Sequence, residues 1–177
     1  IWEGRPEGLW AVLVTNARAP VRGIETRQCL GPGAGLVGAM SSGQGSVANT
    51  VGGMRGLYCG SKAALNQFMR SFAARQAVTR RAMVLMAPGW VRTELGGPDA
   101  RLTIEESVPS LVNVLIAKRV RPGLDYPDYL GRTVPWQPAR RATSGHWPSA
   151  VSFPARWRRR EGRAASIHSP DPPGTPP

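Results

Sequence analysis

Tyr58-Cys59-Gly60-Ser61-Lys62 is the stretch whose reading decides the rest of the chain. Tyr58 and Lys62 stand four residues apart at the opening of an apolar run, and the spacing predicts a helix over Leu57–Gln76. On a helix that separation puts both side chains on one face, about one turn apart. An ammonium a few ångströms from a phenol favours the phenolate, and so lowers a pKa that is otherwise near ~10. A phenol tuned in this way can give and take a proton near neutral pH.

The flanks of this helix read as strands. Upstream, Leu36-Val37-Gly38-Ala39-Met40 is a short apolar run that ends in Ser41-Ser42-Gly43-Gln44-Gly45-Ser46. Downstream, Met83-Val84-Leu85-Met86-Ala87 is uninterrupted apolar sequence between Arg81 and Pro88, the pattern of a strand buried on both faces. Pro88-Gly89 stops it at its C-terminal end, where open α/β sheets bind ligands. Leu65, Phe68, Met69 and Phe72 form a stripe on the intervening helix that reads as core or subunit contact. Further on, Thr103-Ile104-Glu105-Glu106 is a capping box, opening a helix through Val108, Leu111, Val112 and Leu115 to about Ala117.

A serine-rich strand end, Tyr-x-x-x-Lys with Ser61-Lys62-Ala63-Ala64-Leu65-Asn66, and a strand closing on Pro88-Gly89-Trp90-Val91-Arg92-Thr93 follow one another in a set order. In that order they resemble the short-chain dehydrogenase/reductase family, most closely its carbonyl-reductase-like branch with the C-factor-type proteins. The resemblance covers Leu13 to about Trp136. It implies an α/β fold, the C-terminal part of a Rossmann-like doubly wound parallel sheet. It also implies NAD(P)-dependent hydride transfer on a small carbonyl or alcohol substrate, with NADP slightly favoured by the branch, and a possible homo-oligomer.

The resemblance also distributes roles. Tyr58 would be the general acid/base and Ser42 the orienter of the substrate carbonyl, with Ser41 and Ser46 as rivals. Lys62 would hold the nicotinamide ribose and tune Tyr58. Pro88, Gly89, Val91 and Thr93 would line the nicotinamide. Asn16-Ala17-Arg18-Ala19-Pro20 resembles the family's Asn-x-x-Gly-Pro segment, with Ala19 in the glycine position. Asn16 would then anchor a water that feeds protons to Lys62; on its residues alone, Asn16 also reads as a helix cap. Leu124-Asp125-Tyr126 resembles the last strand and Gly131–Trp136 the closing segment, and the residues before Thr103 would be a mobile substrate lid.

A complete member opens with a strand, a glycine-rich turn and a helix that cradle the cofactor's pyrophosphate. Gly31-Pro32-Gly33-Ala34-Gly35 does not have that order, because it precedes the apolar strand Leu36–Met40 and reads as a helix-to-strand turn. The expectation is therefore an N-terminally incomplete domain carrying the catalytic half, with weak or no activity as given. The alternative is a non-catalytic remnant acting as an interaction or dimerisation module.

Bulk properties narrow the partners. The chain has 177 residues and a formal net charge of +12, and the expected organisation is one domain over 1–136 with a disordered Arg/Pro-rich extension over 137–177. Arg156-Trp157-Arg158-Arg159-Arg160 could stack on single-stranded nucleic acid. Yet only Lys62 and Lys118 are lysine, and arginine comes with abundant Gly, Pro and Ala. That pattern reads as compositional bias, so a nucleic-acid partner is not expected. No apolar run is long enough to cross a bilayer. Cys29 and Cys59, as lone cysteines, fit a reducing cytoplasm. His146 and His168 stand apart from any Cys or carboxylate cluster, so no metal site is expected.

Overall fold

The structure is a computed structural model that describes residues 6–26, 35–50, 52–53 and 55–137. The expectations for Gly31–Ala34 and for the extension beyond Gln137 lie outside these residues.

Three parallel strands run in the order β1 (Leu36–Met40), β2 (Ala82–Met86) and β3 (Gly123–Asp125). Leu36 pairs with Ala82 and Met40 with Met86, while Ala82 pairs with Gly123. Parallel neighbours need long crossovers, and helices supply them. Helix α3 (Gly56–Arg75) joins β1 to β2, and α4 (Ile104–Lys118) joins β2 to β3. The result is the Rossmann-like α/β arrangement that the motif order implied.

Every residue of β2 is buried, as an uninterrupted apolar run at the centre of a covered sheet requires. Leu85 and Ala87 join Leu65 and Met69 of α3, Ala39 of β1 and Tyr126 in one core cluster. Val84 and Met86 point to the opposite face by the two-residue period of a strand, and α4 also packs on β2. At its start α4 has the capping box: Thr103 Oγ1 accepts from the Glu106 amide and the Glu106 carboxylate accepts from the Thr103 amide. At its end the buried Lys118 ammonium donates to the carbonyls of Arg121 and Pro122 and pairs with Asp125 at 3.0 Å. That ties the helix terminus to β3.

Two apolar stripes are only partly covered. Leu65, Met69 and Phe72 are fully buried, but Phe68 is exposed. At 100° per residue it sits roughly 60° off the Leu65 direction, which carries it past the edge of the core face. On α4, Val108 and Val112 are exposed and Leu111 and Leu115 half-buried, so only part of that apolar pattern reaches the sheet.

Candidate active site

The first helical segment runs without a break from α1 (Pro6–Leu13) through a π-helical turn (Val14–Arg18) into α2 (Ala19–Thr26). Asn16 therefore lies inside a helix and does not cap one. Pro20 explains the widened turn: it brings no N–H to the Asn16 carbonyl four residues back, and its ring crowds that carbonyl. The Ala19 amide accordingly reaches Val14, five residues back. Single π-turns of this kind occur frequently at functional sites. The Asn16 side-chain amide donates to Ser61 Oγ at 3.1 Å, and Ser61 Oγ donates to the Tyr58 carbonyl at 2.8 Å. Asn16 is thus tied to the turn of α3 that carries Tyr58 and Lys62.

Beyond β1 the serines separate. Ser41 is buried, and its hydroxyl donates to Asn66 Oδ1 at 2.5 Å. Ser46 is also buried and donates to the Pro135 carbonyl. Ser42 is half-buried, and its hydroxyl accepts from the Gln44 amide at 3.2 Å as the cap of a short 3-10 turn (Gly43–Gly45). Of the three, it is the one whose hydroxyl remains accessible. Gly45 lies against α3: a Cβ there would stand 2.9 Å from Lys62 Cβ and 3.0 Å from the Lys62 backbone carbon. The helix backbone cannot yield, so Gly45→Ala should lift the serine loop off α3 and cost about 1–3 kcal/mol, measured by urea unfolding. An unchanged midpoint would show that the loop relaxes without this contact.

Tyr58 and Lys62 lie on one face of α3, with the Lys62 ammonium 6.0 Å from the centre of the Tyr58 ring. The same ammonium donates to the Met40 carbonyl at 3.0 Å, two residues before Ser42. Partial burial pushes the Lys62 pKa below the ordinary lysine value.

At the end of β2, Gly89 has φ +87°, in the left-handed region that favours glycine. A Cβ there would stand 2.6 Å from Leu102 Cδ1 and 3.2 Å from Tyr129 Cδ1. The Pro88 carbonyl is held by Ser107 Oγ at 2.8 Å. The segment expected as a mobile lid has its own hydrogen bonds: Arg92 N to Leu102 O, Leu102 N to Trp90 O, Trp90 Nε1 to Gly96 O and Arg92 Nε to Ala100 O. Val91 is half-buried on this closed loop, and Thr93 is exposed with its hydroxyl accepting from the Gly96 amide.

Two buried polar residues at the serine loop were missed in the sequence reading. Asn66, four residues past Lys62 on the same helix face, donates to the Gly45 carbonyl at 3.1 Å. Tyr126 donates to the Ser42 carbonyl, and burial holds its phenol above the ordinary pKa. The presence of Tyr58 pushes that phenol in the same direction, which places the two tyrosines within electrostatic reach. An asparagine on the apolar face of α3 was the available signal, since a buried amide needs partners. Nothing local marked Tyr126, whose partner lies 84 residues away. Among the described residues no cluster of His, Cys, Asp and Glu could hold a metal, and no helix is long and apolar enough to cross a membrane.

No family model matches the chain. Over 100 residues it is 37% identical to C-signal of Myxococcus xanthus, covering 56% of this chain and 60% of that protein. It is 63% identical to a crystal structure, with NADP bound, described as a short-chain dehydrogenase/reductase from Burkholderia multivorans; the TM-score is 0.74 over 76% of this chain and 58% of that one. A carbonyl reductase of Pseudomonas aeruginosa in complex with NADP is 34% identical, with a TM-score of 0.64 over 76% and 58%. The chain spans about three-fifths of the length of these relatives.

Proposed function

Since this chain is a carbonyl-reductase-like member of the short-chain dehydrogenase/reductases, we propose that it serves reversible hydride exchange between NAD(P)H and a small carbonyl or alcohol compound. The observation that carries this reading is the Lys62 ammonium, which sits 6.0 Å from the Tyr58 ring and 3.0 Å from the Met40 carbonyl. One side chain thereby holds the Tyr-x-x-x-Lys helix against the strand that delivers Ser42.

The residues fit the nicotinamide-ribose end of a dinucleotide. Lys62 has three N–H donors and gives one to Met40, so donors remain for ribose hydroxyls. Gly89, packed against Leu102 and Tyr129, ends β2 in the left-handed conformation, and Val91 and Thr93 follow it along the chain. The NADP bound in two of the related structures favours NADP as the cofactor. When bound, the nicotinamide supplies the hydride.

Tyr58 supplies the proton. Reduction forms a C–H bond at the carbonyl carbon with the hydride and an O–H bond at its oxygen, and the single proton for that O–H bond comes from the Tyr58 hydroxyl. Ser42 donates a hydrogen bond to the same oxygen and holds it against the phenol. The phenolate left behind is stabilised by the Lys62 ammonium. A water anchored at Asn16 returns the proton through Lys62. Alcohol oxidation runs these steps backwards.

A second reading, an interaction module without catalysis, is favoured by the exposed row Ile104, Val108, Val112 and Ile116 along α4. NADPH consumption with a panel of aldehydes and ketones separates the two. The dehydrogenase reading expects slow, carbonyl-dependent oxidation of NADPH at millimolar cofactor. No oxidation above the carbonyl-free blank at saturating NADPH would overturn it in favour of the interaction module.

A further inference from the structure

Ser42 can orient a carbonyl only if its loop is held still, and the loop lies between two elements that bring polar groups to it. From α3, Asn66 accepts from Ser41 Oγ at 2.5 Å and donates to the Gly45 carbonyl at 3.1 Å, so its amide spans the loop on both sides of Ser42. From the segment after β3, the Tyr126 hydroxyl donates to the carbonyl of Ser42 itself. Ser41, Asn66 and Tyr126 are each no more than 3% exposed.

We propose that Asn66 and Tyr126 are positioning residues that fix Ser42 relative to Tyr58, a role that rests on the catalytic reading above. Three buried polar side chains are a costly way to fill a core. Apolar groups of the same volume pack there without any need for partners. What the polar set adds is a unique location for the loop, because each hydrogen bond is met only in one arrangement. The network also joins α3, the end of β1 and the segment after β3, the elements on which the site depends. Trp136 completes the backing: its ring lies 5.1 Å from that of Tyr126, and its carbonyl accepts from the Val47 amide. Burial pushes the Tyr126 phenol above its ordinary pKa, which favours the neutral form that donates the hydrogen bond.

The test uses the full chain and two variants, Tyr126→Phe and Asn66→Leu, which keep the volume and remove the polar atoms. Hydrogen exchange should show the amides of residues 41–46 opening roughly tenfold faster in each, as expected for one lost hydrogen bond. Protection in β2 should stay as in the parent. At millimolar NADPH, kcat should fall about tenfold while the KM for NADPH holds. In a Ser42→Ala background Tyr126→Phe should add nothing, because it acts through Ser42. Unchanged exchange at 41–46, or kcat losses that multiply in the double variant, would overturn the proposal. The exchange result stands even in a chain without turnover. Turnover of Tyr58→Phe within a few-fold of the parent would count against the catalytic reading and not against the clamp.

Discussion

On the proposed mechanism, replacing Tyr58 with phenylalanine should lower carbonyl-dependent NADPH oxidation by about 10²–10⁴-fold, the usual contribution of a positioned proton donor. The substitution keeps the ring and its 6.0 Å approach to Lys62 and removes only the hydroxyl. Tyr58 is half-buried, and the core cluster forms without it, so the melting temperature should move little. The loss should appear in kcat, with the KM for NADPH unchanged, because a group that acts only in the transition state lowers kcat and kcat/KM together. Ser42→Ala is the comparison: it leaves the proton donor in place and should cost less than Tyr58→Phe. Turnover of Tyr58→Phe within a few-fold of the parent would remove Tyr58 from the mechanism.

The second large effect is on cofactor affinity. Half-saturation of the 177-residue chain by NADPH should lie no lower than about millimolar. Dinucleotide pyrophosphate normally rests on a glycine-rich turn that runs from a strand into a helix N-terminus, where several amides and the helix dipole meet it. Among the described residues no such turn is formed: β1 leads into short 3-10 turns, and α3 opens only at Gly56, behind Arg55 in the left-handed conformation. Charge-assisted hydrogen bonds contribute roughly 1.5–3 kcal/mol each. With partial replacement by water, about 3–5 kcal/mol is missing, or two to four orders of magnitude in Kd. Calorimetric titration with NADPH and NADH measures this directly. A strand–glycine-rich turn–helix segment of the family type placed ahead of Ile1 should tighten binding by the same factor. Micromolar binding by the chain as given would mean that the phosphates rest on another cradle.

Much of the architecture was legible because it is written in local pattern. The unbroken apolar run at Met83–Ala87 could only be a covered strand, and β2 is buried along its whole length. The capping box at Thr103 and Glu106 marked the start of α4, since both partners lie within one turn. The four-residue spacing of Tyr58 and Lys62 set their common helix face before any fold was known.

Tertiary structure decided what local pattern leaves open. Ser41 and Ser42 are adjacent and chemically identical, and only the packing of Asn66 and Tyr126 against the loop buries one hydroxyl and leaves the other accessible. Asn16 could be read from its residues alone as a helix cap, beside the role that the family resemblance implies. It lies inside a helix because α1 and α2 pack as one rod against α3, with Pro20 opening a π-turn instead of ending the rod. Phe68 sits one position off a stripe whose width is set by the sheet beneath, so its neighbours Leu65, Met69 and Phe72 are buried and it is not. Spacing along a chain determines which side chains share a face. Which of those faces is covered depends on segments far away in sequence, and here the polar contacts that hold Ser42 in place join residues 21 to 84 positions apart.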